Sequence, residues 1–511
     1  MNRPRTGIQL LAGAIALTSL TAACGLKPDA TATLKTGAGA AAAAASNGIA
    51  PGVPGSTSTV PGGAAGSAPG APGVVAGGPS GSAPNGTLSG GSNNGAIANT
   101  GGNNPAPSTG GACGVPHGGT TTGISANTIN IGLHAPLTGT GTPFPNSSFQ
   151  AGAATFWQQP GHEVCGRKVQ VEFKDDTYTP AGARNVCGQM AQRDFLVVGG
   201  GGTDQIQACA TEQHIQSLGV PYLSPGVTDN GLNGLSNYFA VSLSYAQQGS
   251  LVLKNAQQQG IANPSPSNVD SDNFPGQKAV WAIVTAATPN FAGARNGIEQ
   301  ALTAAHIPYK DYQQDQNGNY QSAATQFGSQ LALNGFKTIF VDAAPGYFVF
   351  MSGGYYGANS VNTANWVGPG VTYTEVTVAQ YICSGSKNQI SGHAWFLAPA
   401  PGLDHASQEF KAAYNGKYDD IEWSLWGLSE TLWKLLTKAD ANLTRQNFIA
   451  STEHASLPAG SVYPPIDYAH HGGHFGGTAA WVQRVNCGAT EPDQSQPGAW
   501  DTVGSNYLRL Y

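Results

Sequence analysis

Apolar and polar positions alternate with two different periods along the C-terminal three quarters of this chain. A first strand is predicted at residues 129–133, with the sequence INIGL, and another at 169–174 by strict alternation. Helices and strands then take turns to a strand at 220–223, and a second series begins after Tyr245 and reaches a long helix at 421–439. Two such series predict an α/β protein with two doubly wound lobes. The other predicted elements are helices at 149–159, 180–193, 245–259 and 291–305, a helix ending at 333, and strands at 195–198, 279–285, 337–341 and 394–397.

The N-terminus has the pattern of a secretory signal at residues 1–23. Two arginines precede an apolar run, and small residues follow it. Cys24 comes next, and LTAAC resembles the lipobox of bacterial lipoproteins, in which the cysteine is lipidated, although Thr21 replaces the usual Leu, Val or Ile. Plain secretion with cleavage nearby is the alternative. We expect an exported protein held at the cell membrane by a lipid on Cys24, without a transmembrane helix.

A long stretch of low complexity separates this signal from the patterned region. Residues 24–123 consist mainly of Gly, Ala, Pro, Ser, Thr and Asn and have no periodic apolar face. Such a composition buries too little apolar surface to offset the entropy of ordering. We therefore expect a disordered tether with a reach of about 50 to 60 Å.

The composition excludes several classes of function. Only 10% of the residues are charged, the net charge is −6, and no basic patch with interleaved aromatic residues is found, so nucleic acid is not an expected partner. The chain has no G-x-S-x-G, no P-loop and no H-E-x-x-H motif, and the glycines at 199–202 lack dinucleotide spacing. We expect neither an enzyme nor a cofactor.

Histidines and cysteines are the remaining candidates for site chemistry. His470, His471 and His474 lie within five residues and could share a metal ion, but histidines of this kind also cap turns, and our expectation is no metal. Six cysteines remain besides Cys24, and in an exported chain without a C-x-x-C pair they favour up to three disulfides. A buried free thiol is the alternative for each. These cysteines are Cys113, Cys165, Cys187, Cys209, Cys383 and Cys487.

Four ordered segments carry a resemblance to a known family. INIGLHAPLTG from Ile129, CGRKVQVEFKDDTYTPAGARN from Cys165, VVGGGGT from Val197 and VPYLSPGVTD from Val220 are similar to the leucine/isoleucine/valine-binding family of type I periplasmic solute-binding proteins. These proteins are receptors of ABC importers, and the resemblance extends over residues 124–487.

The resemblance implies two lobes joined by three crossings of the chain, near 242–245, 397–403 and 461–467. Lobe 1 would comprise residues 124–244 plus 400–463, and lobe 2 residues 245–399 plus 464–511. It also implies a disulfide between Cys187 and Cys209, where the family has a bridge. By the same placement Cys383 and Cys487 would pair within lobe 2, which leaves Cys113 and Cys165 for each other.

Ligand-binding positions in lobe 1 follow from the same resemblance. Thr203 matches the hydroxyl residue that receives the ligand carboxylate, and Gly226 and Thr228 match residues that hold the carboxylate and the amino group. Phe144 or Pro145 lies where the family has an aromatic wall. Two of these residues also have ordinary structural roles as alternatives: Thr203 could be a helix N-cap and Thr228 a turn residue.

Lobe 2 departs from the family pattern. Gly370 stands where relatives carry the carboxylate that pairs with the ligand's ammonium group, and Phe291 replaces an expected tyrosine. Asp342 or Glu375 could supply the missing charge, although a solvated Asp342 is an equal alternative. Tyr347 or Tyr373 could supply an aromatic wall.

The sequence thus predicts an extracytoplasmic, lipid-anchored and monomeric receptor of an ABC importer that captures a small carboxylate-bearing ligand, with an amino acid as the leading candidate. Its expected partners are the ligand, the membrane and an ABC permease. The alternatives are a sensing protein of the same fold without a transport role and, third, an enzyme.

Overall fold

The computed structural model describes residues 121–139, 146–226, 230–316, 320–358, 363–370, 374–386, 388–439, 443–470, 474–492 and 494–510. The signal sequence, Cys24 and nearly all of the predicted tether lie outside these ranges.

The first sheet is parallel and consists of five strands. Its order is β2-β1-β3-β4-β5, and each neighbouring pair is parallel. The helices between successive strands cover this sheet, as a parallel sheet requires. The strands are β1 (Thr128–Ala135), β2 (Lys168–Asp175), β3 (Leu196–Gly199), β4 (Tyr222–Ser224) and β5 (Tyr238–Ala240), and the helices are α1 (Ser147–Thr155), α2 (Pro180–Met190), α3 (Thr203–Ala210) and α4 (Gln213–Ser217).

The second sheet combines a parallel core with an antiparallel edge. Its main path has the order β14-β13-β10-β9-β8-β6-β7, with β15 paired to β13. The parallel strands are β6 (Trp281–Ala286), β7 (Tyr309–Gln314), β8 (Thr338–Asp342), β9 (Asn365–Pro369) and β10 (Ala394–Ala398), and the antiparallel ones are β13 (Ala479–Asn486), β14 (Ala499–Thr502) and β15 (Leu508–Arg509).

Helices in the same part of the chain cover this second sheet. They are α5 (Tyr245–Gln258), α6 (Ala292–Ala304), α7 (Gln321–Leu333), α8 (Pro345–Ala358) and α9 (Val376–Gly385). The remaining elements are α10 (Gln408–Ala413), α11 (Asp420–Lys438), α12 (Arg445–Glu453) and a two-stranded sheet of β11 (Ser456–Leu457) and β12 (Ile466–Asp467).

The long helix α11 packs against the first sheet. Asp419 caps it in a reciprocal capping box with Glu422, which satisfies two backbone N–H groups at the helix start. The hydroxyl of Ser148 in α1 also donates to Asp419. Trp423 and Trp426 are each 1% exposed and belong to the same hydrophobic cluster as the core residues of β1, so these tryptophans form the core face of the helix. In the described part of the chain no helix is both long enough and apolar enough to cross a membrane.

Two disulfides fix helices within this arrangement. Cys187 in α2 bonds to Cys209 in α3, and Cys383 in α9 bonds to Cys487 directly after β13. Both pairings match the expectation from the sequence. Cys113 lies outside the described residues, so its pairing with Cys165 stays a prediction.

Candidate ligand-binding site

Glycines 199 to 202 form an ordered connection between β3 and α3. Gly199 is the last residue of β3, and a Cβ atom there would lie 2.2 Å from the hydroxyl oxygen of Tyr222. Gly202 occupies the N-cap position of α3 with φ at +83°, a conformation that side-chain-bearing residues rarely adopt. The connection therefore needs glycine for close packing at one end and for backbone conformation at the other, and it brings main-chain groups to the start of a helix.

Gly200, Gly201 and Gly202 line a cleft that also receives residues attached to the second sheet. Helix α11 contributes its first two turns to the same cleft. Backbone N–H groups at a helix start favour an anion, so the glycine side of the cleft suits a carboxylate. The residues that line the cleft are Phe149, Tyr178, Gly200, Gly201, Gly202, Ile206, Pro225, Thr374, Glu375, Pro399, Ala400, Pro401, Asp420, Ile421, Ser424, Leu425 and Gln483.

Two carboxyl groups, on Glu375 and Asp420, face this cleft. Glu375 immediately precedes α9, and Asp420 is the first residue of α11. The Oδ2 atom of Asp420 accepts a hydrogen bond of 3.0 Å from the backbone N–H of Val376, whereas its Oδ1 atom is buried without a hydrogen-bond partner among the described residues. Burial raises the pKa of both carboxyl groups, and the charge of Asp420 adds to the shift at Glu375.

Gln483 adds a neutral acceptor from β13. Its side-chain nitrogen donates to the carbonyl oxygen of Ala400 at 2.8 Å, and the residue is only 3% exposed. The Oε1 atom of Gln483 has no hydrogen-bond partner within the described chain. Buried polar atoms are nearly always hydrogen-bonded, so this oxygen marks a place where a donor fits.

Tyr178 approaches the cleft from the loop after β2. Its φ is +53°, and its backbone N–H donates to the Oδ1 atom of Asp176 at 3.0 Å. Burial raises the pKa of Tyr178, with further contributions from Glu375 and Asp204. The tyrosine thus stays protonated at neutral pH and can donate a hydrogen bond.

Thr203 is the first residue of α3 and directly follows Gly199 to Gly202, which we call the glycine loop. It is 7% exposed, and its hydroxyl lies 3.1 Å from the hydroxyl of Tyr245 at the start of α5. The ring of Phe291 stacks on Tyr245 with centroids 6.2 Å apart. The structure therefore brings Thr203 and Phe291 together around Tyr245, beside the cleft and not among the residues that line it.

Gly226 and Tyr347 occupy different surroundings. Gly226 follows Pro225, which lines the cleft, and its N–H donates to the Ser224 hydroxyl at 3.2 Å. Tyr347 is 1% exposed and donates from its hydroxyl to Gln314 at 2.8 Å, away from the cleft. Phe144, Pro145, Thr228 and Tyr373 lie outside the described residues, so their ligand contacts stay predictions.

Packing explains why Gly370 replaces the carboxylate that relatives carry. A Cβ atom at Gly370 would lie 2.7 Å from the carbonyl oxygen of Leu397, and the Gly370 N–H donates to that same oxygen at 2.6 Å. A larger residue would push β9 away from β10. Of the two candidate replacements, Glu375 lines the cleft, whereas Asp342 is fully buried without lining it.

The described histidines of the candidate metal cluster have separate partners. His470 lies 2.9 Å from a carboxylate oxygen of Asp467, and His474 lies 2.7 Å from the carbonyl oxygen of Tyr238. His471 lies outside the described residues. Elsewhere in the described chain, His134 lies near Cys187 and Cys209 at metal-ligand spacing, but both sulfurs are bonded to each other.

Sequence reasoning missed Tyr178, Asp420 and Gln483 as cleft residues. The sequence DDIE at the start of α11 contained a usable signal, because Asp419 alone suffices for the capping box. Asp420, the second aspartate, is not needed for the capping box, so the sequence offered it as a candidate for another role. No local signal distinguishes Gln483 within its strand.

Comparisons with known proteins agree with this arrangement. A family model described as "Periplasmic binding protein" matches residues 128–491. A search of curated proteins returns no match to this chain.

Solved structures with the same fold include three substrate-binding or solute-binding proteins of transporters. The fatty acid ABC transporter substrate-binding protein from Thermomonospora curvata has a TM-score of 0.57 at 13% identity, covering 75% of this chain and 94% of that one. A solute-binding protein from Rhodopseudomonas palustris in complex with 3,4-dihydroxybenzoic acid has a TM-score of 0.57 at 14% identity, covering 75% and 98%. The branched-chain amino acid binding protein LivJ from Streptococcus pneumoniae, in complex with isoleucine, has a TM-score of 0.51 at 16% identity, covering 74% and 100%. Since the family model spans most of the chain, from the first strand of the first sheet to beyond β13, this protein belongs to the periplasmic binding protein family.

Proposed function

We propose that this protein is the extracytoplasmic solute receptor of an ABC importer, anchored to the membrane through Cys24, and that it captures a small carboxylate-bearing molecule, with an amino acid as the leading candidate. Family membership supports a binding role outside the cytoplasm. The fatty acid, dihydroxybenzoic acid and isoleucine in the titles of the three similar structures are all carboxylic acids.

One observation carries the proposal. The glycine loop that precedes α3 lines a cleft together with Glu375 and Gln483, which are attached to the second sheet. A ligand in this cleft contacts elements of both sheets and stabilises the arrangement in which they are close, by its differential contacts alone. A permease in the membrane can then recognise and bind that closed arrangement. Binding with micromolar affinity needs about −8 kcal/mol.

The proposal is tested by thermal unfolding of the full chain in the presence of amino acids, their amides, short peptides and aliphatic or aromatic carboxylates. At least one carboxylate is expected to raise the melting temperature, since a ligand that binds only the folded state stabilises it by mass action. If no compound in the panel raises the melting temperature, the receptor function is contradicted. If amides raise the melting temperature as much as the parent acids do, the proposed binding of a carboxylate at the glycine loop is contradicted.

A further inference from the structure

The start of α9 is capped from the opposite side of the cleft. Glu375 occupies the N-cap position of α9 but makes no capping bond with its own side chain. The backbone N–H of Val376, the first residue of the helix, instead donates to the Oδ2 atom of Asp420 at 3.0 Å. A carboxylate here satisfies one of the free N–H groups of a helix start and interacts favourably with the helix dipole. We call this bond the cross-cleft cap.

The two partners of the cross-cleft cap are attached to different sheets. Asp420 is the first residue of α11, whose core face shares a hydrophobic cluster with residues of β1. Ala379 and Ile382 of α9 belong instead to the cluster that contains residues of β8 in the second sheet. We therefore expect the cross-cleft cap to break if the two sides of the cleft separate, so that it stabilises only the closed arrangement.

Three carboxyl groups surround the cross-cleft cap. Glu375 lines the cleft together with Asp420, and Glu491, in the segment after β13, feels the charge of Asp420. This segment lies on α9, because the side chain of Gln380 donates to Oε1 of Gln494 at 3.1 Å. Glu375 and Glu491 are thus held on the side of the second sheet and Asp420 on the side of the first. Closing the cleft brings the three carboxyl groups together.

The charge of this carboxyl cluster is not balanced by a cation. In the part of the chain that the structure describes, none of the ion pairs includes Glu375, Asp420 or Glu491. The other titratable groups that interact with the cluster are acidic or neutral. They are Asp419 at the start of α11, Asp501 in β14, Tyr178 in the loop after β2 and Tyr418 before α11.

Two buried oxygen atoms of the cluster lack a hydrogen-bond partner. They are Oδ1 of Asp420 and Oε2 of Glu491, as far as the described residues extend, and Glu491 is only 6% exposed. Burying an unpaired negative charge is costly, whereas a protonated carboxyl group has an O–H that a neighbouring oxygen can accept. Burial, followed by the neighbouring carboxyl groups, raises the pKa of Glu375, Asp420 and Glu491. The closed arrangement therefore holds protons that separated, solvated carboxyl groups would release.

We propose that proton uptake by Glu375, Asp420 and Glu491 closes the cleft of the protein without a ligand, and that their ionisation opens it. The inference rests on the proposed receptor function, to which it adds a control that does not depend on the ligand. The three groups bind protons more tightly in the closed arrangement than in the open one. Their contribution to closure is therefore full below the ordinary pKa of a carboxyl group and is lost as the pH rises through the raised values.

The test follows closure in the full chain without any ligand. Donor and acceptor dyes are placed at Asn185 in α2 and at Gln330 in α7, which are exposed positions on helices of the first and the second sheet. Attachment through unnatural amino acids leaves the native cysteines untouched. Fluorescence energy transfer is expected to be higher at about pH 5 than at about pH 9, because protonation removes the repulsion within the closed cleft.

Three variants assign the effect to the carboxyl cluster. Glu375→Gln and Glu491→Gln each replace a titrating carboxyl group by a neutral amide, so each is expected to raise energy transfer at about pH 9 and to reduce the change with pH by about half. Asp420→Ala removes the cross-cleft cap and is expected to keep energy transfer low at both pH values. The matched control is Glu430→Gln, which removes an acid from the same helix where it pairs with Lys434 at 2.7 Å, and it should keep the wild-type profile.

Three results would overturn the inference. Energy transfer in the wild type that is equal at the two pH values, or higher at the alkaline one, refutes closure by proton uptake. A wild-type pH profile in both Glu375→Gln and Glu491→Gln refutes the assignment to this cluster, and these two variants decide the matter even if Asp420→Ala fails to fold. An equal change of the profile in Glu430→Gln would also refute it. None of these results touches the receptor function, which the ligand screen tests separately.

Discussion

The Nδ1 atom of His134 lies 2.8 Å from the Oδ2 atom of Asp176, and both side chains are fully buried. The Nε2 atom of the same imidazole lies 2.7 Å from the hydroxyl of Tyr222. The other carboxylate oxygen of Asp176 accepts the N–H of Tyr178, which lines the cleft. This chain of hydrogen bonds connects the ends of β1, β2 and β4 and positions the tyrosine loop.

Replacement of His134 by alanine is expected to lower the free energy of unfolding by about 3 to 5 kcal/mol, because Asp176 would lose its buried partner. Tyr222→Phe is the milder comparison, with an expected loss of about 1 kcal/mol for one hydrogen bond. Guanidinium unfolding of the full chain measures both. Equal losses in the two variants would mean that the contact between His134 and Asp176 adds nothing to stability beyond the bond to Tyr222.

Removal of the Thr203 hydroxyl tests whether that group serves ligand binding or only folding. The Thr203 hydroxyl faces Tyr245 and does not line the cleft, so it reaches a ligand only by turning away from Tyr245. For a ligand found by thermal screening that is held in this way, Thr203→Val is expected to weaken binding by about 1 to 3 kcal/mol, the value of a hydrogen bond to a charged carboxylate. Tyr245→Phe is the matched control, because it removes the partner hydroxyl at 3.1 Å and leaves that of Thr203 in place. Calorimetry measures the ligand affinity of both variants. Normal binding by a destabilised Thr203→Val protein would assign the hydroxyl to structure only.

Asn290 joins elements that belong to different sheets. It lies in the short helical turn Pro289–Phe291 after β6, and its side-chain nitrogen donates to Asp204 in the first turn of α3. The side chain of Asn230 donates to Asn290 in turn, at 2.9 Å. Because these bonds join residues near different sheets, we expect them to break if the two sides of the cleft separate.

Asn290→Ala should therefore weaken ligand binding about 10-fold, mainly through faster dissociation, since the closed arrangement loses a hydrogen bond to a charged group. Stopped-flow kinetics measures the dissociation rate. Asn185→Ala is the control and should leave the rate unchanged, because Asn185 is exposed on α2 and its side chain only accepts a weak bond of 3.3 Å from Gln189. An unaltered dissociation rate in Asn290→Ala would show that this contact does not control closure.

Asp342 makes stability depend on pH. It is fully buried, neither carboxylate oxygen has a hydrogen-bond partner in the described chain, and burial raises its pKa well above the ordinary value of 3.8. The folded state then holds a proton that the unfolded state releases, so this group's contribution is full below the ordinary pKa and is lost as the pH rises through the raised one.

Asp342→Asn should accordingly be more stable than the wild type at about pH 8 and should lose that advantage near pH 4. Melting temperatures across this range measure the difference. Asp270→Asn is the control with the opposite sign, because the pKa of Asp270 is lowered by its bond to Lys278. A constant difference between wild type and Asp342→Asn at every pH would contradict a titrating Asp342.

The sequence predicted the long periodic elements closely and the short ones poorly. The helix expected at 421–439 is observed at Asp420–Lys438, because its apolar face repeats over several turns and a capping box marks its start. By contrast, β5 has only three residues, and β9 contains a glycine and a proline. Local preference is weak in such segments, and pairing with neighbouring strands determines their conformation.

One part of the candidate site could also be predicted from the sequence and another part could not. The glycine loop was predictable because a buried strand, four glycines and a helix start follow one another directly in the sequence. Glu375 was one of the two candidates for the missing charge, whereas Asp420 and Gln483 were not predicted, because they come from separate segments that only the folded chain brings to one cleft. A lone glutamine in a strand carries no sign that it will line a cleft.

The Cys187–Cys209 bond also bears on when the receptor becomes competent to bind. Both sulfur-bearing side chains are fully buried, and the bond fastens α3, which begins at the glycine loop, to α2. Such bonds form and persist in oxidising compartments and are rare in the reducing cytoplasm. For the receptor proposed above, we therefore expect the link between α2 and α3 to form only after export, so the helix that begins at the glycine loop is fastened only outside the cytoplasm.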